Sequence, residues 1–305
     1  MVQSHEYNHS PMDITLAMGG GGARGAAHIG VLKVFEQNGV HVRAIAGTSI
    51  GSIVGALYAS GRSPDQLLEI FTNVDQSKLY GWPLSDGPGL LGVRGIADTL
   101  RSYLGDMTFG DLSIPFSAVA VDINSNREII LDEGNVVDAI LGSIAVPGLF
   151  PPKELGDYRL IDGATLDPVP VRAARALRPE LPVVAVTLLL PLDVPTKPMG
   201  IMSIPGSNTF VKQVAHMNIA QAFRIFAESV DIASRQMAEL RLKIDAPTVI
   251  IRPAVGSINL LDNVDVFEVS QLGERAAEAV LPELMRATSF PARVMRKLQR
   301  VVGRD

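Results

Sequence analysis

The feature that most constrains the fold of this chain is a regular alternation of short apolar runs with stretches of helical periodicity. DITLAM (13–18) is followed by a glycine run and by AAHIGVLKVFEQNG (26–39), where apolar residues recur at helical spacing. The pattern repeats as VRAIAG (42–47) and IGSIVGALYASG (50–61). Five later apolar runs also predict strands, at 115–123, 128–133, 158–163, 182–190 and 248–253. This alternation predicts an α/β fold with a mostly parallel central sheet sandwiched by helices.

The composition indicates one folded domain. Of the 305 residues, 47% are apolar and 19% are charged, which is enough apolar surface to bury a sizeable core. No shift in composition marks an internal boundary. We therefore predict a flexible polar tail at 1–12, a single α/β domain at 13–290 and a basic terminal helix at 291–305.

Composition also disfavours several classes of function. A net charge of -5 argues against a nucleic-acid partner, and the absence of cysteine excludes disulfides, cysteine nucleophiles and zinc–thiolate sites. No cluster of His, Asp or Glu has the spacing of metal ligands, so no metal is expected. The chain begins without a basic, apolar leader, and no apolar run approaches the ~20 residues of a membrane span. A cytoplasmic location is expected, and the sequence predicts no oligomeric state.

A serine stands at the junction of the second predicted strand and helix. The residues there, in order, are Gly47, Thr48, Ser49, Ile50 and Gly51. They match G-x-S-x-G in the strand–turn–helix context of a nucleophile elbow, where side chains on either side of the serine would clash. The helix that follows also offers backbone N–H groups to developing negative charge. The alternative is a tight turn without chemistry.

A glycine loop follows the first predicted strand. Its residues are Gly20, Gly21, Gly22, Ala23, Arg24 and Gly25. Consecutive glycines can turn successive N–H groups toward one oxyanion, but the same residues also spell the dinucleotide fingerprint G-x-G-x-x-G. A dinucleotide site needs an acid at the end of the second strand, where this chain has Ser49, and no Lys-Ser or Lys-Thr pair completes a P-loop. The sequence therefore favours an acyl-transfer site.

The candidate base is a carboxylate. The chain has only five histidines, His5, His9, His28, His41 and His216. In hydrolases with such an elbow the base histidine comes late in the chain, after the acid. Only His216 is late, and it lies within a predicted helix at 211–223. Asp162 ends the strand YRLI, and Gly163 directly after it allows a sharp turn. A buried Asp there can accept the serine proton, or simply cap the next helix. Competing acids in similar positions are Asp122, Asp157 and Asp167.

Four blocks in this order resemble the signature blocks of patatin-like phospholipases. They are the glycine loop with Arg24, the pentapeptide 47–51, SIAVPGLFPP (143–152) and DGATLDPVP (162–170). The resemblance covers roughly residues 13–190. It implies a three-layer α/β/α fold and serine acyl hydrolysis of lipid esters without a cofactor. The implied substrates range over phospholipids, lysophospholipids, neutral lipids and simple esters.

The resemblance also implies roles for individual residues. Ser49 is expected as nucleophile and Asp162 as its base, in a dyad without histidine. Gly21 and Gly22 are expected to give oxyanion N–H groups, while Arg24 either braces the loop or meets a phosphate.

Two departures from the family pattern fall in the acid block. It continues through Gly163 and Ala164 as Asp-Gly-Ala, where many members have Asp-Gly-Gly. The acid itself is kept. Asp167 stands where many members have Asn, so it remains a second acid to test.

Three segments outside these blocks bear on contact with lipid. PARVMRKLQRVVGRD (291–305) predicts a helix with basic residues on one face and apolar residues on another. This pattern is typical of an interfacial helix on anionic lipid, and also of a terminal helix that packs its apolar stripe on the domain. The stretches 82–95 and 192–209 are rich in Pro and Gly, and are either plain connections or loops over a site. The methionines of 199–206 fit either a lid or core packing.

Three alternatives to this interpretation stay open. The first is a nucleotide-binding α/β protein that uses the glycine loop for phosphate. The second is a catalytically silent lipid-binding or regulatory protein on the same fold. The third keeps the hydrolase but gives Ser49 an ordinary base in His216.

Overall fold

Eight strands form one sheet in the part of the chain that the structure describes. This structure is a computed structural model, and it describes residues 12–74, 91–194 and 210–302. The strands are β1 (Met12–Met18), β2 (Val40–Thr48), β3 (Phe116–Asp122), β4 (Arg127–Leu131), β5 (Lys153–Leu155), β6 (Tyr158–Asp162), β7 (Val183–Val186) and β8 (Val249–Ile251). Their order across the sheet is β5-β6-β3-β2-β1-β7-β8, and β4 also pairs with β3.

The sheet is parallel through its centre and antiparallel at one end. Strand β1 pairs in parallel with β2 and β7, and the β2–β3 and β7–β8 pairs are parallel as well. The β3–β4, β3–β6 and β5–β6 pairs are antiparallel. In the register of β1 and β2, Met18 lies opposite Gly47. The glycine loop and the serine elbow therefore leave the same edge of the sheet side by side.

Helices cover both faces of this sheet. They are α1 (Ala26–Gln37), α2 (Ile50–Ala59), α3 (Pro64–Asn73), α4 (Arg94–Leu104), α5 (Val136–Ser143), α6 (Val171–Leu177), α7 (Phe210–Asp245), α8 (Val266–Thr288) and α9 (Phe290–Val302). Side chains on β1 alternate between the faces, as the pleat of a strand requires. Ile14, Leu16 and Met18 join the larger core with α1 and α2, while Ala17 joins a smaller core with α6 and α7. The predicted α/β fold, with helices on both faces of a mostly parallel sheet, is confirmed.

Each of the seven predicted strands overlaps an observed strand, and helices α1 and α2 lie where their periodicity places them. The stretch 82–95 differs in part, because α4 already begins at Arg94. Its earlier part, residues 82–90, and most of 192–209, including the suggested lid, lie outside the described residues.

The terminal helix α9 forms as predicted, and several of its described apolar side chains are exposed. Phe290, Met295 and Leu298 are 68%, 58% and 55% exposed, and Val294 is exposed as well. Of the predicted apolar stripe, Val294 and Leu298 are therefore not buried against the domain, while the side chains of Val301 and Val302 lie outside the described part of the structure. Within the described ranges, no helix has the length and apolar character to cross a membrane.

Candidate active site

Ser49 lies in a strained turn between β2 and α2. Its φ of 54° and ψ of -125° belong to a region that residues with a Cβ rarely adopt. The strain is typical of a nucleophile elbow, in which the serine stands exposed to a cleft while the helix begins directly behind it. Ile50 opens α2, so its N–H is one of the first-turn donors that a helix cannot pair internally.

The glycines at both ends of the elbow are required by close contacts with backbone. A Cβ on Gly47 would lie 2.5 Å from the Gly51 carbonyl oxygen, and one on Gly51 would lie 2.1 Å from the Met18 oxygen. Both distances are far shorter than a carbon–oxygen contact allows. The motif spacing thus follows from how tightly α2 packs on β1 and β2.

Ser143 fixes the backbone of the nucleophile. The Ser49 N–H donates to Ser143 Oγ at 2.9 Å, and Ser143 Oγ–H donates to the Val119 carbonyl at 2.6 Å. Sequence reasoning assigned Ser143 no role, although a fully buried serine at the end of the apolar helix α5 is a polar group that needs partners. The apolar sequence around Ser143 thus indicates a buried serine, but it does not indicate which group that serine binds.

Asp162 meets the serine hydroxyl directly. Ser49 Oγ–H donates to Asp162 Oδ2 at 2.5 Å, while the Ala164 N–H donates to Oδ1 at 2.8 Å. One oxygen therefore accepts from the serine, as a base at Asp162 requires, and the other caps the short 3₁₀ helix Gly163–Thr165. Strand β6 runs antiparallel to β3, and the pairing register of these two strands places Asp162 beside the serine elbow. Asp162 lies opposite Ala120, one residue beyond Val119, which pairs with Thr48.

Burial raises the pKa of Asp162 to about 6, against the hydrogen bonds from Ser49 and Ala164, which lower it. Asp162 is the expected base, and a base acts in its ionised form, so the shift predicts that kcat/KM for an ester falls as the pH drops through about 6. The loss should approach tenfold per pH unit on the acid side. Rates of p-nitrophenyl butyrate hydrolysis between about pH 4.5 and 8 check this. An acid limb near 4, the ordinary carboxyl value, would contradict it.

The glycine loop beside Ser49 contains two N–H groups that have no hydrogen-bond partner among the described residues. The Gly20 N–H donates to the Pro168 carbonyl and the Ala23 N–H to that of Leu260, both at about 3 Å. The N–H groups of Gly21 and Gly22 make no hydrogen bond within residues 12–74, 91–194 and 210–302. A Cβ built on Gly20 would lie 3.2 Å from the Ser49 Cβ, so the loop packs directly on the elbow. These are the two donors that the family resemblance implies for an oxyanion.

Two buried side chains brace this loop. Arg24 is only 4% exposed, and its guanidinium donates to the carbonyl oxygens of Ile258 at 2.8 Å and Leu188 at 3.4 Å. These two donors thus bind backbone carbonyl oxygens, as expected for the bracing role. His28 Nε2 lies 2.8 Å from the Gly19 carbonyl, to which it can only donate. Burial lowers the pKa of His28 to about 4, so the ring is neutral at pH 7. Sequence reasoning gave His28 no part in the site.

An apolar cavity opens at the serine. Its volume is about 190 Å³, and Ser49, Gly22 and Ala23 line it together with Ile50 and Leu260. Most of the other lining side chains are aliphatic or aromatic, and Asp262 is the one charged residue among those described. The phosphates of a nucleotide favour cationic partners, and the described lining contains no cation. A fatty acyl chain needs only apolar contact.

Comparison with known proteins identifies the family. Residues 16–175, just over half of the chain, match the family described as Patatin-like phospholipase. The chain belongs to this family. Its blocks of glycines, serine and aspartate all lie within the matched segment.

Curated relatives agree with the patatin-like assignment. An uncharacterized NTE family protein of Mycobacterium tuberculosis is 30% identical over 283 residues, which cover 89% of this chain and 47% of the relative. Patatin-like phospholipase domain-containing protein 6 of Mus musculus is 31% identical over 174 residues, 54% of this chain and 13% of the relative. The chain spans about half the length or less of these relatives. The crystal structure of VipD from Legionella pneumophila shares the fold, with a TM-score of 0.51 and 12% identity over 90% of this chain and 67% of that one.

The other acids and histidines take different positions in this patatin-like fold. Asp122 accepts hydrogen bonds from the backbone N–H groups of Ser125 and Arg159, and Asp157 lies exposed in the turn before β6. His41 lies 3.4 Å from Asp13, on the exposed side of β2. His216 falls in α7, as predicted, but its side chain is outside the described part of the structure, as are His5 and His9.

Asp167 binds an arginine instead of the serine. Its carboxylate is fully buried and lies 2.8 Å from Arg241 Nη2, and Arg241 also contacts Glu128 at 2.9 Å and Asp245 at 3.3 Å. Burial raises the pKa of Asp167 to about 7, against the Arg241 hydrogen bond, which lowers it. One cation therefore holds three acids and ties α7 to β4 and to the segment after β6.

Removing that cation should destabilise the fold strongly. Arg241→Ala leaves Asp167 buried without a counter-charge, and loss of one partner from such a cluster costs about 3–5 kcal/mol. Urea denaturation measures this loss of stability as a lower urea concentration at the unfolding midpoint. The matched control is Arg252→Ala, which breaks a more exposed pair with Glu239 and should cost at most about 1 kcal/mol. Equal losses of stability in the two variants would show that the buried cluster contributes no more than the more exposed ion pair.

Proposed function

We propose that this chain is a serine acyl hydrolase of the phospholipase A, lysophospholipase or carboxylesterase type, with Ser49 as nucleophile and Asp162 as base. One observation carries the proposal: the 2.5 Å hydrogen bond from Ser49 Oγ to Asp162 Oδ2 lies at the mouth of an apolar cavity. Nucleophile, base and a place for an acyl chain meet at that point. The patatin-like family supports a lipid ester as the substrate.

Acylation follows from the geometry of these groups. The lipid ester lies with its acyl chain in the cavity and its carbonyl carbon against Ser49 Oγ. Asp162 takes the hydroxyl proton as Oγ attacks, and the carbonyl electron pair becomes an oxyanion. The free N–H groups of Gly21 and Gly22 stabilise that charge. When the intermediate collapses, the ester C–O bond breaks and Asp162 gives its proton to the departing alcohol.

Deacylation repeats the steps with water. Asp162, ionised again, takes a proton from a water molecule that attacks the acyl-enzyme carbonyl. The second intermediate uses the same two N–H groups. Collapse releases the fatty acid and returns the proton to Ser49 Oγ. A base with a pKa of about 6 suits both directions, because it is ionised at pH 7 yet basic enough to hold a proton briefly.

Release of fatty acid from lipid tests the proposed function. Purified protein is incubated with phosphatidylcholine vesicles, lysophosphatidylcholine micelles and p-nitrophenyl esters, and free fatty acid and alcohol are quantified. We expect hydrolysis of at least one class. Binding of these lipids without any hydrolysis would instead favour the catalytically silent protein. Saturable binding of NAD or ATP would favour the nucleotide-binding alternative.

We further propose that α9 holds the protein at an anionic membrane surface. Residues 291–305 carry five basic side chains and one acidic one, in a chain of net charge -5. Exposed apolar side chains on the same helix, Phe290, Met295 and Leu298, can enter the headgroup region while the basic residues face lipid phosphates. Val266, which opens α8, lines the cavity, whereas α9 follows the other end of α8. The helix thus acts as a tether and not as the substrate entrance.

Sedimentation with vesicles tests the tether. We expect the protein to pellet with vesicles containing phosphatidylglycerol but not with pure phosphatidylcholine, and to be released by salt. Changing Met295 and Leu298 to Ser should weaken pelleting while leaving hydrolysis of water-dissolved esters intact. Equal pelleting on both vesicle types, or pelleting that the double variant retains, would contradict the tether.

A further inference from the structure

We propose that α2 is a ruler for the acyl chain: the cavity takes chains of about ten carbons, and Leu57 with Tyr103 closes its far end. The inference rests on the proposed function, since it assigns the length preference of the same site. Among the described residues, the lining of the cavity includes side chains from α2, α3 and α4.

The cavity follows one face of α2 away from the nucleophile. Ile50, Ile53 and Leu57 all line it, and their spacing of three and four residues places them in a single row along the helix. Ile53 lies four residues and Leu57 eight residues beyond Ser49, and at about 1.5 Å per residue these are roughly 6 and 12 Å along the axis. The serine stands at the start of the row, so an acyl chain bound to it extends past Ile53 toward Leu57.

Contacts beyond the end of α2 locate the far wall. Arg62, just after the helix, donates to the Tyr103 carbonyl, and its guanidinium lies 5.8 Å from the centre of the Tyr103 ring. Arg62 also donates to Ser60 Oγ at 2.5 Å, and Ser60 Oγ–H donates to the Leu57 carbonyl at 2.7 Å. Tyr103, which lines the cavity, is therefore held against the last turn of α2.

The described leucines at the far end of the row are more buried than the lining at the serine end. Leu57 is only 2% exposed and Leu100, one turn before Tyr103 on α4, is 3% exposed. At the serine end the lining includes Leu261, which is 40% exposed. In the proposed ruler, a chain enters beside Ser49 and ends at these buried leucines.

The length of the row sets the number of carbons. An extended chain advances about 1.2 Å per bond, from the roughly 3.6 Å that three backbone bonds span in an extended residue. The roughly 12 Å from Ser49 to Leu57 therefore accommodates about ten bonds. Longer acyl chains must bend out of the cavity or displace its wall, and either costs binding in the transition state.

Substitutions at two points along the row test the ruler. We measure kcat/KM for p-nitrophenyl butyrate, decanoate and palmitate, and compare the ratios between esters. Wild-type protein should prefer decanoate. Ile53→Phe, which narrows the cavity about halfway, should lower the decanoate-to-butyrate ratio at least tenfold, and Leu57→Ala should raise the palmitate-to-decanoate ratio by a similar factor.

Leu32→Ala is the matched control for Leu57→Ala, because Leu32 on α1 is equally buried but does not line the cavity. Its ratios should equal those of wild type. If either Ile53→Phe or Leu57→Ala fails to fold, the ester ratios of the other variant still test the ruler. Hydrolysis by wild type with unchanged ratios in the folded variants would overturn the ruler and leave the proposed function intact. Absence of hydrolysis of every ester by wild type would instead overturn the proposed function, and the ruler with it.

Discussion

Ser49→Ala is expected to lower kcat/KM for any ester by about 10⁴-fold or more, because no other described group near the Gly21 and Gly22 donors can attack the carbonyl. The residual rate would come from the oxyanion donors and from binding, which the substitution leaves in place. The variant should still bind lipid, since the cavity is unchanged. Ester hydrolysis is measured beside circular dichroism and thermal unfolding, which confirm that the variant is folded.

Ser117→Ala is the control for that substitution. Ser117 is fully buried on β3, and its hydroxyl has no hydrogen-bond partner among the described residues. Its removal should change neither activity nor stability by much, because no interaction is lost. Activity that survives in Ser49→Ala would remove Ser49 as the nucleophile, and an equal loss in Ser117→Ala would attribute the effect to packing.

Asp162→Asn is expected to lower kcat by about 10³-fold or more, with a much smaller change in KM. Asn keeps the shape of the side chain, and its oxygen can still accept from the Ala164 N–H, but its amide cannot take the Ser49 proton. The acid limb near pH 6 should disappear from the remaining activity, since the group that titrates there is gone.

The stability of Asp162→Asn separates a catalytic from a structural role. Burial raises the pKa of Asp162, so its ionised form is less favourable in the folded protein than in the unfolded chain. This penalty is present above pH 6 and vanishes below the unfolded value near 4. A neutral Asn removes it, and we expect an equal or higher melting temperature at pH 7. A large loss of stability would indicate that Asp162 mainly supports the fold.

Asp167→Asn distinguishes the two candidate acids. Asp167 contacts Arg241 and not Ser49, so its substitution should act mainly on stability, through the three-acid cluster. An activity loss in Asp167→Asn as large as that in Asp162→Asn, with the fold intact, would make Asp167 part of the chemistry.

Much of this fold and site could be predicted from patterns of residues that are close in sequence. The strand–glycine–helix pattern at 13–39 and the elbow at 47–51 depend on residues close in sequence, so periodicity and glycine spacing were sufficient to predict them. The position of Asp162 depends on pairing between β3 and β6, yet the family resemblance of its block identified it. The expected oxyanion donors, Gly21 and Gly22, are those whose N–H groups lack an acceptor in the described structure.

Contacts between distant residues could not be predicted in the same way. Ser143 reaches Ser49 across 94 positions, and Arg241 reaches Asp167 across 74. Neither pair has a motif, because the contact follows from how helices pack on the sheet. The sequence likewise shows that α9 has an apolar stripe, but not whether the domain has a face left to cover it. Only the structure shows Phe290 and Leu298 exposed.

The central claim, an acyl-enzyme on Ser49, is tested most directly by covalent capture with a fluorophosphonate. The phosphorus takes the place of the carbonyl carbon, and its adduct on the serine oxygen is stable enough to locate by mass spectrometry. We expect one adduct per chain, on the peptide that contains Ser49, with slow labelling of Asp162→Asn and none of Ser49→Ala. An adduct on a different residue, or an enzyme that hydrolyses esters yet resists labelling at Ser49, would contradict the proposed mechanism.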